Sequence, residues 1–373
     1  MQLLDLTQTQ FKIDTSQPLL NVLTDIVHQV EIQPNFSIHH PDYQPLELPA
    51  EIIERFQKTP QEIQQKYLSL QLRSFLYGIY YNGSMQSVLA LDKERKNLAL
   101  DLENNTFLGV DLAFYERLHQ NNCGEGYFDF GWSVVKEESD GSLAVTKNGL
   151  RLHIDRNKHL QASENTAVVG DIVAIKMPKN LVQNGFYMAV SNLGLNRTVD
   201  FNSQPVTVRI YFNLTPEGAV LVMNSLTKQL NQIQIPFSFK VLYNPDDYQR
   251  YDSGVLYFDQ RDYPAVQNIL RQVYDEMRPY FHSEIPLFTK HLAPGLGLAE
   301  EPNQKFAVQE SFGMNRCQIV ANGLLEAWYQ DDNSPQQRFE AIYKHFSLLS
   351  IDLQRPYLNA NSTDIYTEIQ VET

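Results

Sequence analysis

The feature that most constrains the fold is a change in hydrophobic pattern along the chain. Before about residue 82, apolar residues recur at helical spacing, as Leu19, Leu23 and Ile26 do. From Tyr127 onward, short segments of alternating apolar and polar residues are separated by Asp-Gly and Asn-Gly turns. The last third alternates helical and strand patterns. The sequence therefore predicts an α+β fold with N-terminal helices, a β-rich middle and a mixed sheet-and-helix C-terminal region.

These patterns divide the chain into four predicted regions. They are a helical N-terminal region at 1–83, a β-rich middle region at 84–200, a mixed region at 201–350, and a polar tail at 351–373. We expect the tail to be loose and the stretch 84–108 to be an exposed connection. Predicted strands lie at 127–135, 150–154, 171–177, 185–191, 205–213, 235–242 and 255–259, and predicted helices at 110–120, 215–231, 263–280, 313–329 and 334–349.

The charge balance limits the partners of the chain. Its 373 residues include 44 acidic residues against 30 Lys and Arg, for a formal net charge of −14. A field of this sign repels nucleic acid and anionic membranes, so neither is an expected partner. Two cysteines are too few for a disulfide framework, and no apolar stretch reaches the roughly 18 residues of a membrane span. We therefore expect a cytoplasmic protein, in which a phosphorylated ligand needs a local basic pocket.

Common cofactor and metal motifs are missing from the sequence. The segment from Gly295 to Glu300 superficially resembles a dinucleotide-binding loop, but it lacks the third glycine and the strand that must precede it. The sequence contains no P-loop, no His-Glu-x-x-His and no paired-cysteine motif. We therefore predict neither a metal ion nor an organic cofactor.

Basic residues instead occur inside predicted strands, where they are costly. Strand alternation at 205–213 places Arg209, Tyr211 and Asn213 on one face. Lys240 lies in the otherwise apolar strand at 235–242. Because an ammonium group buried without a partner costs several kcal/mol, Lys240 needs either an ion pair or a function.

Three further segments add ionisable side chains. Arg250 and Asp252 precede the strand at 255–259, where they either project into a cleft or pair with each other. Lys290 and His291 begin an irregular loop rich in Gly and Pro at 289–302, and Arg316 lies in the first turn of a helix, whose N–H groups and dipole favour anions. Each residue alone is compatible with a structural role. Together, in an acidic chain, they predict a phosphate pocket.

As a set, these segments resemble the HopA-type effector family. The residues that carry the resemblance are Arg209 to Asn213, Phe239-Lys240, Arg250 to Ser253, Val255 to Tyr257, Gly295 to Glu300 and Ser311 to Gly313 with Arg316. The aromatic segment from Tyr77 to Gly83 adds a weaker match. The family takes its name from a type III effector of a plant pathogen, and its bacterial relatives, including cyanobacterial ones, are similar to the lyase component of class V lanthipeptide synthetases.

The resemblance implies a lyase reaction. Phosphate would be eliminated from phosphoserine or phosphothreonine in a peptide, leaving dehydroalanine or dehydrobutyrine, without a metal or an organic cofactor. Such a reaction needs a base for the α-proton, positive groups for the leaving phosphate and an acid for the leaving oxygen. A lysine can be the base only where desolvation or nearby positive charge lowers its pKa.

We assigned roles to the candidate residues from this chemistry. Lys240 is the predicted general base and His291 the predicted general acid, with Tyr211 as an alternative acid and Asp252 as an orienting group. The predicted phosphate- and substrate-binding residues are Arg209, Arg250, Lys290, Arg316 and Asn213. Structural ion pairing remains the alternative for Lys240, and a loop position without a role remains the alternative for His291.

The partner expected from this reading is a phosphorylated precursor peptide. Its leader or tail should be basic or neutral, because the acidic chain repels strongly acidic peptides away from the phosphate site. A separate kinase would be a second partner if the phosphate is added elsewhere. Two other classes stay open: a non-catalytic phosphopeptide-binding or effector-type interaction module, and a structural protein whose aromatic residues fill a large core.

Overall fold

A computed structural model describes residues 17–92, 110–194, 206–330 and 332–370. Over these ranges the chain forms helices and three antiparallel sheets, which confirms the predicted α+β class. Most of the exposed connection predicted at 84–108 lies outside the described residues. No helix in the described ranges is both long and apolar enough to cross a membrane.

Most predicted helices and strands occur, with ends shifted by a few residues. The helices are α1 (Gln17–Gln29), α2 (Ala50–Phe56), α3 (Gln61–Leu76), α4 (Leu112–Asn121), α5 (Arg156–His159), α6 (Pro216–Gln232), α7 (Tyr263–Met277), α8 (Phe312–Tyr329) and α9 (Pro335–Leu348). The strands are β1 (Glu31–Ile32), β2 (Ile38–His40), β3 (Tyr43–Leu46), β4 (Tyr127–Glu137), β5 (Leu143–Lys147), β6 (Leu150–Ile154), β7 (Ile172–Met177), β8 (Asn180–Gln183), β9 (Phe186–Val190), β10 (Thr207–Phe212), β11 (Phe237–Leu242), β12 (Gly254–Asp259), β13 (Lys290–Ala293) and β14 (Leu296–Glu300).

A seven-stranded antiparallel sheet forms the centre of the molecule, in the order β13-β14-β10-β12-β11-β9-β8. One face of its middle strands is apolar and buried, with Ile210, Phe239 and Leu256 among its residues. The helix α6 contacts β11 and packs against α7. The opposite face of these strands carries the polar residues of the alternating pattern, so strand alternation alone separates the core from the candidate site.

The four-stranded sheet is a smaller unit, in the order β6-β5-β4-β7. Its buried residues form an apolar cluster of their own around Trp132, with Leu143, Val173 and Ile175 among its members. The large core of the seven-stranded sheet and the helices is a different cluster. The part of the chain that the structure describes therefore has two apolar cores, although they differ greatly in size.

Two features of the seven-stranded sheet differ from the predicted regions. The strands β8 and β9 fall within the predicted middle region, yet β9 pairs with β11 of the predicted mixed region. The predicted irregular loop at 289–302 is largely the β13–β14 hairpin. Pro294 and Gly295 (φ +74°) form its turn, and because they resemble loop residues, they concealed two short strands.

The C-terminal segment also differs from the expected loose tail. Tyr357, Leu358, Tyr366 and Ile369 are buried against the core. The fully buried Glu300 carboxylate accepts hydrogen bonds from Tyr366 Oη at 2.9 Å and Ser362 Oγ at 2.6 Å. Residues 351–370 therefore pack against the end of β14. The polar composition of the segment did not predict this packing.

Candidate functional site

A cavity of about 510 Å³ opens on the polar face of the seven-stranded sheet. Arg209 and Tyr211 of β10 line it, together with Lys240 of β11 and Tyr257 of β12. In the strand register, Lys240 and Tyr211 both lie opposite Val255, one on each side of it. The sheet thus brings together residues that are far apart in the sequence, and their neighbouring-strand spacing places Lys240 and Tyr211 roughly 10 Å apart at the main chain.

Lys240 lies between two aromatic rings. Its Nζ atom is 4.3 Å from the centre of the Phe186 ring and 5.6 Å from that of Tyr257, and it donates a hydrogen bond of 3.3 Å to Gln183 Oε1. The structure gives this ammonium group no carboxylate within salt-bridge distance among the described residues. A cation held by ring faces and one amide remains available to a ligand.

Arg250 and Asp252 form a bidentate ion pair. Arg250 Nε and Nη2 donate to the two Asp252 oxygens at 2.6 and 2.9 Å. Asn82 and Tyr77 also donate to this carboxylate. Burial alone would raise the pKa of Asp252, but the Arg250 charge and its hydrogen bonds lower it overall. The pair is therefore ionised and fixed, with the guanidinium group at the cavity wall.

Arg209 is held by a second carboxylate. It is only 8% exposed, pairs with Glu301 and lies 5.1 Å from the centre of the Tyr257 ring. Burial alone would lower the pKa of Arg209, but Tyr257, Tyr211 and Glu301 raise it well above its usual value. Glu301 also accepts a hydrogen bond of 2.5 Å from Lys305, so one carboxylate holds two of the cations that line the cavity.

Two tyrosines complete the wall on the side of the N-terminal helices. The helix α3 continues into a π-helical turn, Tyr77–Tyr81, in which the Asn82 N–H donates to the Tyr77 carbonyl at 3.1 Å. The rings of Tyr77 and Tyr81 stack with centres 4.9 Å apart, and Tyr81 meets Tyr211 edge-on. Because a π-turn changes the angular spacing of side chains, both rings can line the cavity.

Tyr211 is placed to donate a proton. Burial raises its pKa to about 12, although the charge of Arg209 opposes this. The phenol is therefore neutral near pH 7 and keeps its proton. Hydrogen bonding with Tyr81 and Arg209 also lowers the pKa of Tyr211, against the larger effect of burial.

The N-terminus of α8 also faces the cavity. Ser311 caps the helix by accepting a hydrogen bond from the Met314 N–H, and both residues line the cavity. Gly313 lies between them, and a side chain there would place its Cβ 2.3 Å from the Tyr81 ring. Glycine at this position is thus required by the close approach of the ring. The dipole of α8 adds to the positive potential of the site.

Lys290 and His291 do not line this cavity. Both lie on the edge strand β13, where Lys290 Nζ pairs with Asp364 at 2.7 Å. The His291 side chain is 50% exposed and lies 3.8 Å from Glu368. The sequence prediction placed both in a flexible loop, whereas the hairpin fixes them on another part of the sheet.

Arg316 and Asn213 are likewise outside the cavity lining. Arg316 is 1% exposed and donates to the carbonyl oxygens of Pro356 at 2.7 Å and Leu358 at 3.0 Å. Its burial lowers its pKa to about 10. Asn213 donates to the Glu284 carbonyl at 3.0 Å. These contacts give Arg316 and Asn213 structural partners in place of the predicted anion.

Sequence reasoning missed several residues of the cavity. Tyr77, Tyr81, Tyr257, Glu301 and Lys305 line it but were not proposed as site residues. The aromatic segment from Tyr77 to Gly83 carried a usable signal, since it formed part of the family resemblance. Glu301 carried none, because its partner Arg209 is 92 positions away.

The described ranges contain no group of three or more His, Cys, Asp or Glu side chains that could hold a metal ion.

Comparison with known proteins shows that the segment carrying the larger part of this site is similar to a known family. Residues 177–358 match the model of the HopA1 effector protein family. This HopA1 region spans just under half of the chain and contains the whole seven-stranded sheet with α6 to α9. The match confirms the sequence-based resemblance.

Two solved structures of bacterial effectors are also similar to the chain. The effector protein from Pseudomonas syringae pv. tomato strain DC3000 is 17% identical, with a TM-score of 0.41, over 81% of this chain and 100% of that one. The effector protein from Pseudomonas syringae pv. syringae strain 61 is 13% identical, with a TM-score of 0.41, over 80% of this chain and 98% of that one. A search of curated proteins found no match.

Proposed function

We propose that this protein is a phosphoserine/phosphothreonine lyase that acts on a peptide. The observation that carries the proposal is the meeting of Arg209, Lys240, Arg250 and Tyr211 in one cavity of a strongly acidic chain. Buried cations on a sheet face are costly, and a dianionic ligand gives them a function. The family resemblance implies this class of reaction, and the HopA1 match over residues 177–358 supports the resemblance.

In this proposal the phosphate lies between the two guanidinium groups. Arg209 and Arg250 each have a carboxylate partner that fixes the orientation of the side chain. Remaining N–H donors can then grip phosphate oxygens, and the N-terminus of α8 adds positive potential. Lys305, which lines the same cavity, can contribute once the phosphate competes with Glu301.

Lys240 is the proposed general base. In its neutral form the amine removes the α-proton, and the electron pair of the Cα–H bond becomes the new Cα=Cβ double bond. The Cβ–O bond breaks at the same time or afterwards, and its electron pair leaves with the phosphate. The nearby Arg250 and Arg209 charges stabilise the negative charge that develops on the leaving group.

Tyr211 is the better candidate for the general acid than His291. It lines the cavity across Val255 from Lys240, and its pKa of about 12 keeps the proton available. The half-exposed His291 lies on β13 beside Glu368. Proton transfer from Tyr211 to the phosphate oxygen would leave a phenolate that Arg209 stabilises, because their side chains share one strand face.

The test is incubation of the protein with a phosphothreonine peptide, followed by mass spectrometry. Elimination of the elements of phosphoric acid lowers the peptide mass by about 98 Da, whereas hydrolysis of phosphate lowers it by about 80 Da. A product that is 98 Da lighter and that adds a thiol contains the dehydro residue. Unchanged mass under conditions where the peptide binds would overturn the lyase proposal.

One observation favours a second candidate, a non-catalytic phosphopeptide-binding module. Arg209 and Arg250 are both already paired with carboxylates, which suits stable recognition as well as catalysis. This candidate predicts binding that depends on both arginines but is insensitive to the removal of the Lys240 amine. The mass measurement separates the two candidates directly.

A further inference from the structure

The four-stranded sheet carries a second cavity, which no part of the proposed chemistry uses. Its strand order makes β6 and β7 the two edges of the sheet. Nevertheless Leu152 and Ile154 of β6 line the same groove as Ile175 and Met177 of β7. The sheet therefore curls until its edges face each other across a groove of about 520 Å³.

The backbone of β7 offers hydrogen bonds toward this groove. On its inner side β7 pairs with β4. On its outer side the Ala174 N–H lies 3.3 Å from each carboxylate oxygen of Glu164, a side-chain acceptor where another strand would lie. Lys176 follows two residues later, so its N–H and C=O point to the same outer side. Because Glu164 already accepts from the Ala174 N–H, an extended chain laid beside β7 would pair with this edge from Lys176 onward.

The side chains of the groove define the chemistry of its occupant. Its floor is apolar, formed by buried or half-buried Leu152, Ile154, Ile175 and Met177. Its rim carries two lysines and two histidines against one carboxylate, namely Lys158, Lys176, His153, His159 and Glu125. Lys158 Nζ lies 3.9 Å from Asp155 and His153 Nδ1 lies 3.8 Å from Glu138, whereas the structure gives Lys176 no carboxylate within salt-bridge distance among the described residues. In a chain with a net charge of −14, the two rim lysines favour acidic side chains on a partner.

The groove is connected to the main cavity by one strand. Pro178 lines the groove and Gln183 lines the main cavity, with β8 between them. Five extended residues span roughly 17 Å. Because β8 is itself an edge strand of the seven-stranded sheet, a polypeptide can follow it from one cavity to the other.

We propose that the groove binds an extended, acidic segment of the same polypeptide that is modified in the main cavity, by adding a strand beside β7. The inference rests on the proposed function for the identity of that polypeptide. It also revises the sequence-based expectation of a basic or neutral leader, since the local charge of the groove differs from that of the whole chain.

The experiment uses two synthetic peptides and the full chain. The first is a short phosphothreonine peptide. The second carries the same sequence joined through six residues to a segment of alternating Glu and Val. We expect the joined peptide to have a KM at least about tenfold lower, because binding of the segment raises the effective concentration of the phosphothreonine. The double variant Lys158→Glu, Lys176→Glu should lose this gain and turn over the short peptide normally, whereas the charge-matched control Lys228→Glu should keep the gain.

Strand addition has a second signature. N-methylation of alternate residues in the acidic segment should abolish the gain in at least one of the two registers, because it removes backbone donors without changing charge. A joined peptide without a gain, or a gain that survives the double variant or both methylated registers, would overturn the proposal. If neither peptide loses mass, the lyase function fails, and fluorescence anisotropy of the labelled acidic segment on wild-type and double-variant protein still decides the groove.

Discussion

The two larger sheets of this chain differ in where their charged side chains lie. The seven-stranded sheet buries guanidinium groups on one face, where Arg209 is 8% exposed and paired with Glu301. The four-stranded sheet has an apolar interior around Trp132 and carries its basic residues at the rim of a groove. Buried charge is expensive and surface charge is not, and in our two proposals the first sheet therefore carries the chemistry and the second the recognition.

The largest expected effect tests the chemical half of this comparison. Lys240→Met removes the amine but keeps an unbranched side chain between Phe186 and Tyr257. We expect the rate of phosphate elimination to fall by roughly 10²–10⁴-fold, as is typical for loss of a general base. The measurement is the initial rate of the ~98 Da mass loss with phosphothreonine peptide at several pH values.

The matched control is Lys305→Met, in the same cavity. Lys305 pairs with Glu301, so its loss should weaken phosphate binding moderately without removing the base. A Lys240→Met protein that keeps more than about a tenth of the wild-type rate would exclude Lys240 as the base.

Much of the fold could be predicted from local pattern. Strand alternation fixed the face on which Arg209 and Tyr211 lie, and N-terminal caps such as Thr215 with Pro216 marked the start of α6. The β13–β14 hairpin could not be predicted, because the Pro294-Gly295 sequence of its turn is also typical of irregular loops. The packing of the C-terminal segment could not be predicted either, since Tyr366 donates a hydrogen bond to Glu300, a residue far from it in sequence.

Part of the site could be predicted from the sequence. Arg209, Tyr211, Lys240, Arg250 and Asp252 were chosen from the sequence, and all five line the cavity. Arg316 was chosen as a phosphate ligand from its position in the first turn of a helix. Whether it can bind phosphate depends on the direction of its side chain, which that position does not determine. Its guanidinium turns inward to the Pro356 and Leu358 carbonyls, and that contact has no local sequence signal.

Arg316→Ala therefore tests whether the buried Arg316 guanidinium stabilises the fold or binds phosphate. It should lower the free energy of unfolding by about 3–5 kcal/mol, because it removes buried charge-assisted hydrogen bonds and leaves carbonyl groups unpaired. Arg209→Ala, the matched variant, should instead weaken phosphopeptide binding. Urea unfolding and peptide titration on both variants measure the two effects. Loss of binding in Arg316→Ala without loss of stability would return Arg316 to the phosphate site.

Trp132→Ala tests whether the two cores are energetically separate. The indole is 3% exposed, and its loss should destabilise the four-stranded sheet by about 3–5 kcal/mol. The chain contains two tryptophans, so the variant leaves Trp328 of α8 as the only indole reporter, while Trp328→Phe leaves Trp132. We expect the Trp328 fluorescence transition in urea to stay near its wild-type midpoint. An equal shift of that transition would mean that the two sheets unfold together.

Gly313→Ala should have a smaller effect that combines packing and chemistry. The added methyl group would lie 2.3 Å from the Tyr81 ring, so the ring must move, at a cost of about 1–3 kcal/mol. Since Tyr81 contacts Tyr211 edge-on, we also expect slower elimination. Gly323→Ala is the control, because its methyl group would clash with the Ile342 backbone at 2.6 Å, away from the cavity. Equal loss of activity in both variants would assign the effect to general destabilisation.

The smallest expected effect is the loss of stability at low pH. It tests the buried Arg250–Asp252 ion pair of the seven-stranded sheet. Arg250 lowers the pKa of Asp252 against the opposing effect of burial, so the folded state favours the ionised carboxylate. Its contribution to stability is therefore complete above the unfolded-state pKa of about 3.9 and is lost as the pH falls through the lower folded-state value. Asp252→Asn keeps the shape of the side chain but removes this titration. We expect the free energy of unfolding, measured with urea from well above to below the unfolded-state pKa of about 3.9, to fall less steeply with acid in Asp252→Asn than in wild type. Identical slopes would mean that the Arg250–Asp252 pair contributes geometry to the cavity and no pH-dependent stability.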